Sequence, residues 1–237
     1  MNDSVLVGVS GFSYASWKGS FYPKDLKNED FLSFYAGKLN SVEINSSFYA
    51  PPSEAMVKSW ASRTGENFRF SIKSPRHITH TLKLGKGAAE AADRLGKTLD
   101  LLGGKLGPVL FQLPPFFRQD LKVLESFLTQ TRGVKKKVFE FRHDSWLNES
   151  TYQLLENHDA GFCIAETEDM KPVLRVIGRL PYFRLRKDAY TAKDVEKWTE
   201  KIRELSRGSE DVYVYLRHDE TGENASYAVG IMQKLSG

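Results

Sequence analysis

Apolar or alternating runs recur along the chain at 5–10, 41–46, 68–73, 108–113, 137–142, 161–166, 181–186 and 212–217, and each is short enough to be a strand. The segments 30–39, 53–63, 88–102, 121–131, 151–158 and 192–205 lie between them and carry apolar residues three or four apart, which predicts helices. Two of these have start signals: Ser53-Glu54 after Pro51-Pro52, and Thr191 three residues before Asp194. Strand–helix alternation repeated about eight times in 237 residues, with no linker or shift of composition, predicts one domain over 1–237. The fold class is α/β, a single eight-stranded β/α barrel of the TIM type. Its weakest unit is 168–179, between strands six and seven, where Pro172 and Gly178 interrupt the helical pattern. The alternative, a doubly wound sheet, usually carries a glycine-rich turn after strand one; "GVSGFSYASW" has only Gly8 and Gly11 there.

In a barrel, alternate residues face the lumen and the helical shell, and the shell side is apolar because it is buried under a second layer. That rule phases each strand. Phe139 and Phe141 send Glu140 and Arg142 inward, and Val42 and Ile44 do the same for Glu43 and Asn45. Inward positions on the other strands are Ser10; Arg69, Ser71 and Lys73; Gln112; Tyr182, Arg184 and Arg186; and Tyr213, Tyr215 and Arg217. Strand six leaves two options open, Glu166 or Thr167. The lumen so assembled is strongly charged, holding Arg69, Lys73, Arg142, Arg184, Arg186 and Arg217 against Glu43 and Glu140. Barrel interiors are ordinarily filled by branched apolar side chains. Arg69 stands early in its strand and is expected at the barrel bottom; the other cations outnumber the acids and predict an anion-binding mouth at the C-terminal strand ends.

The bulk composition changes this picture little. The net charge of +4 favours an anionic partner only slightly. Cys163 is the only cysteine and cannot pair within the chain; the run 5–9 is too short for a membrane span and lacks a basic leader, so a cytoplasmic protein is expected.

Glu140 and Glu43, on strands five and two, are candidate catalytic acid and base across the lumen, and a structural salt-bridge network is the competing reading. Ser10, Asn45, Lys73, Gln112, Arg142, Arg186 and Arg217 are candidate substrate-binding groups on the strand ends; Tyr14, Tyr49, His80 and Trp146 join them from the loops. Aromatic faces beside cations suit bases, sugars and phosphates. His77, His80, His143 and His218 all fall in mouth loops, but "HITH" is not a zinc motif and an arginine-rich lumen repels a dication, so no metal and no cofactor is expected. Cys163 lies within a strand and is expected to be inert.

The motifs "GFSYASWKGSFYP" (11–23), "VEINSSFYAPPS" (42–53), "FRFSIKSPRHITH" (68–80), "LGPVLFQLPPFF" (106–117) and "FEFRHDSW" (139–146) resemble, in order and spacing, those of the YecE-like family, the domain-of-unknown-function family numbered 72. The resemblance implies a β/α barrel and no established reaction; a link to nuclease-like barrels rests on fold analogy. The family pattern of His-Gly after strand seven and aromatic-Asn-Asn after strand eight is replaced here by "FRLRKDAY" (183–190) and "YLRHDET" (215–221), which supply Arg186, Lys187, Arg217 and His218. The expected function is an enzyme acting on a small phosphate- or carboxylate-bearing substrate. A nucleic-acid-binding or nuclease-like barrel and a non-catalytic barrel are the alternatives.

Overall fold

The computed structural model describes residues 4–236. Its strands are β1 (Ser4–Val9), β2 (Ser41–Ile44), β3 (Arg69–Lys73), β4 (Leu106–Gln112), β5 (Lys137–Glu140), β6 (Gly161–Glu166), β7 (Tyr182–Leu185) and β8 (Asp211–Leu216). All the paired neighbours are parallel, in the order β1-β8-β7-β6-β5-β4-β3-β2. The helices are α1 (Phe31–Ala36), α2 (Glu54–Ser62), α3 (Ala88–Leu99), α4 (Leu121–Gln130), α5 (Glu149–Asn157), α6 (Ala192–Leu205) and α7 (Glu223–Ser236). This is the TIM-type barrel that the alternation predicts. The connection from β6 to β7 has no helix, and Gly178 turns it with a positive φ of 69° so closely over Ala160 that a Cβ would lie 2.7 Å from the Ala160 carbonyl oxygen. Both start signals act as read: Ser53 accepts from the Met56 amide, and Thr191 and Asp194 form a reciprocal capping box. Helix α7 escapes the periodicity reading; it turns Ala225, Ala228 and Ile231 onto the barrel, two of them too small to stand out as a stripe.

Side chains close the barrel where β1 meets β2. Backbone joins them at the Ser10–Glu43 bridge and through the Gly11 amide, which donates to the Glu43 carbonyl at 2.8 Å. Below that point Asn40 accepts from the Val7 amide and donates to the Val5 carbonyl, both at 2.7 Å. The buried Tyr35 hydroxyl accepts from the Val9 amide at 2.8 Å and donates to the Ser41 carbonyl at 3.0 Å. Buried backbone polar groups must find partners, and here two side chains supply them. Gly8 lies against the same stretch, where a Cβ would come 2.0 Å from the Ser41 oxygen.

The alternation rule holds through the sheet. Val5, Val7 and Val9, Val42 and Ile44, Phe70 and Ile72, Phe139 and Phe141, and Val212, Val214 and Leu216 pack in the shell core against the helices. A separate cluster fills the lower lumen, where Leu6, Leu110, Val138 and Cys163 meet Tyr182, Tyr213 and Tyr215. Above it comes a belt of hydroxyls, with the Tyr215 phenol bonded to both Ser41 and Ser71. An ionic layer lies above that. Strand six resolves toward Thr167: Glu166 turns outward instead, accepting from Trp198 Nε1 at 2.8 Å and Tyr190 at 3.0 Å with Lys187 beside it. Arg69 lies outside the mouth, as expected, its guanidinium on the carbonyls of Glu66 and Phe68 just before β3.

Candidate functional site

Arg184, central to β7, organises the upper lumen. It is 1% exposed and lies between two carboxylates. Its Nε and Nη2 donate to the two oxygens of Glu43, each at 2.8 Å, and its Nη1 donates to Glu140 Oε2. Arg184 is in register with the small Ala165 on one side, which leaves room for it, and with Tyr215 on the other. Glu43 also accepts from Tyr182 at 2.9 Å and from Ser10 and Asn45 at 3.0 Å each. Glu140 accepts from Gln112 at 2.7 Å and from Arg142 Nε. Glu43 thus accepts five hydrogen bonds, and Glu140 accepts three, with the Cys163 thiol 4.0 Å away.

These donors set the protonation states. Burial pushes the Glu43 carboxyl up, but the charge and hydrogen bonds of Arg184, with Arg186 and Tyr182, outweigh it and hold the pKa down at about 2. Glu140 follows the same pattern, its burial overcome by Arg184 and Arg142, and lies below the usual carboxylate range. Both acids are ionised near neutral pH. Neither therefore holds a proton to donate there, and both are weak bases.

The remaining cations are less well matched. Arg186 donates to Ser10 at 2.6 Å and has no carboxylate within ion-pair distance among the described residues. Burial and then the charge of Arg184 pull its pKa down to about 10, despite Glu43 and Glu140. Lys73 stands at the C-terminal end of β3 with Nζ 4.2 Å from the Phe48 ring centroid. Burial first, then Arg184, lowers its pKa to about 8, with Glu140 and Glu43 opposing and Arg186 assisting. Arg142 and Gln112 open onto a cleft of about 460 Å³ that His80, Pro114, Thr167 and Met170 also line. Clefts of that size suit small ligands.

Lys73, Gln112, Glu140, Arg142, Glu43, Ser10, Asn45 and Arg186 thus gather at one end of the lumen. Tyr14 caps it, donating to the Ser10 carbonyl at 2.7 Å and stacking on His218 with centroids 4.7 Å apart. Burial keeps its phenol protonated, with a pKa near 12. His80 packs edge-on against Phe48 at 5.0 Å. Other expected groups fall away from the cluster. Trp146 is fully buried, its Nε1 on the Phe117 carbonyl and its ring stacked on Phe141, so no face is left for a ligand. Tyr49 is 80% exposed on the rim, and Arg217 pairs with Asp188 from the loop after β7. The strand alternation places Arg184 and Tyr182 in the lumen but does not mark them as site residues, because alternation identifies a face and not a partner. Among the described residues no group of three His, Cys, Asp or Glu is arranged to hold a metal, and no helix is long and apolar enough to cross a membrane.

The family model described as "Protein of unknown function DUF72" matches residues 6–237. The chain belongs to the DUF72 family. Among DUF72 relatives, the UPF0759 protein YunF of Bacillus subtilis is 22% identical over 98% of this chain and 94% of its own length. The UPF0759 protein YecE of Escherichia coli is 31% identical over 47% of this chain and 41% of its own. A DUF72 crystal structure from Thermotoga maritima superposes with a TM-score of 0.88 at 28% identity, covering 98% of this chain and 99% of that one. One from Enterococcus faecalis gives 0.77 at 19% identity, covering 99% and 98%. The barrel is thus shared with these two DUF72 structures, and none of the relatives' names states a reaction.

Proposed function

We propose that the barrel mouth binds a small phosphate- or carboxylate-bearing molecule through Arg186, Lys73 and Arg142, and that the protein acts on it as an enzyme. One observation carries this reading: both buried carboxylates are saturated by Arg184 and its neighbours, while Arg186 and Lys73 remain deeply placed cations without an acid of their own. A buried charge without a counterion is costly, and an anionic ligand would supply one. For Glu43 and Glu140 the same geometry favours holding Arg184 over proton transfer. The exposed rim rings Tyr49 and Phe116, the latter with Lys83 Nζ 5.2 Å away, favour a second reading in which a single-stranded nucleic acid tracks across the mouth.

Thermal unfolding at graded salt separates the two. Inorganic phosphate or a small phosphorylated compound is expected to raise the Tm, by an amount set by its concentration relative to Kd, with little dependence on salt. Arg186→Met should abolish that rise without lowering the Tm of the ligand-free protein, since it removes a cation that the fold does not pair. Arg142→Ala should abolish it too. Tight oligonucleotide binding with a log–log salt slope of about −3 or steeper, at roughly −0.7 per phosphate, would favour the polynucleotide reading instead.

A further inference from the structure

Lys73 combines features that anion binding alone does not require. Its stem occupies a lumen position at the end of β3, and its Nζ lies over Phe48, a ring held in turn between Tyr49 at 5.3 Å and His80 at 5.0 Å. No ion pair or hydrogen bond to a protein acceptor ties this amine among the described residues, and the carboxylates of the lumen belong to Arg184 and Arg142. Its neighbours Arg184 and Arg186 are guanidinium groups, which bind anions but are not nucleophiles. One uncommitted amine therefore stands beside a row of fixed cations.

We propose that Lys73 is the nucleophile of a Schiff-base reaction, condensing with the carbonyl group of a substrate whose phosphate or carboxylate is held by Arg186 and Arg142; this rests on the anion-binding reading above. The step balances without a further reagent. The ammonium gives up a proton, the free amine adds to the carbonyl carbon to form a C–N bond, and the carbinolamine oxygen takes a proton back and leaves as water. The product is an iminium on Lys73, one positive charge in place of the original ammonium. Phe48 can face that cation as it faces the ammonium. The iminium draws electrons from the adjacent carbon, the chemistry used to break or form a carbon–carbon bond. The amine is also available: with a pKa of about 8, roughly a quarter of Lys73 is unprotonated at about pH 7.5, against about one in a thousand for an ordinary lysine.

The test is reductive trapping. The folded protein is incubated separately with pyruvate and with dihydroxyacetone phosphate, treated with borohydride, and its peptides analysed by mass spectrometry. A reduced adduct is expected on Lys73 with at least one of the two, roughly tenfold above any surface lysine, its yield rising with pH through about 8. The better of the two identifies the anionic group. Lys73→Arg should give no adduct, and Lys73→Met serves as a second amine-free variant if the arginine does not fit. A Tm rise that needs Arg186, with no adduct on Lys73 or with label scattered over surface lysines, would overturn the Schiff base and leave anion binding intact. If neither the carbonyl compounds nor phosphate shifts the Tm, both readings fall.

Discussion

Arg184→Met should lower the Tm by about 10 °C. The arginine is the shared counterion of Glu43 and Glu140, which are 0% exposed, and its removal leaves two ionised carboxylates buried with neutral donors, the partly exposed Arg142 beside Glu140 and only the unbonded charge of Arg186 near Glu43. Breaking a buried pair costs about 3–5 kcal/mol, and each kcal/mol is worth about 2–4 °C in a domain of this size. Adding Glu43→Gln and Glu140→Gln to Arg184→Met should recover much of the loss, because the stranded charges are then gone. Arg186→Met, on the same face of the same segment, is expected to leave the Tm unchanged or higher. Calorimetry of the four proteins distinguishes a cation that holds the fold from one that the fold merely tolerates. An Arg184→Met protein that melts within about 2 °C of the parent would show that the carboxylates are neutralised some other way.

Acid should strip the same network. Glu43 has a folded pKa of about 2 against an unfolded value near 4.5, so its contribution to stability is fully present above pH 4.5 and is lost as the pH falls toward 2. At about 1.4 kcal/mol per pH unit this amounts to about 3 kcal/mol, and Glu140, also depressed, adds to it in the same direction. Lys73 works in the opposite sense at the alkaline end. Its folded pKa of about 8 lies below the ordinary 10.5, so its charged form burdens the fold near neutrality and the burden lifts as the pH rises from 8 to 10.5. Denaturant titrations from pH 7 to 3 should show stability falling below about pH 4.5, with the fall blunted in a variant carrying Arg184→Met, Glu43→Gln and Glu140→Gln. An equal fall in that variant would place the acid sensitivity elsewhere.

Much of this site is legible in the chain before any coordinates. The phenylalanines flanking Glu140 and the Val42–Ile44 pair flanking Glu43 set both acids inward, and the shell core places those apolar residues where alternation requires them. Alternation does not say which inward charges touch, because that depends on register and on where neighbouring strands carry small residues. Ala165 leaves space beside Arg184, and only the register reveals it. Strand six shows a second limit. A glutamate on the shell side resembles a lumen residue until Trp198 and Tyr190, both beyond β7, supply its donors. The loop aromatics carry no period at all, so residue type could not separate the buried Trp146 from the exposed Tyr49.

The central claim, that the unmatched cations of the mouth take up an anion, is tested most directly by soaking crystals of the protein with tungstate, a tetrahedral stand-in for phosphate, and collecting anomalous data. The expected result is one strong peak in the upper lumen, within direct contact of the Arg186 guanidinium and of Lys73 Nζ or Arg142, and its loss in crystals of Arg186→Met. Tungstate bound only at surface lysines, with the upper lumen free of anomalous signal in the parent protein, would contradict it.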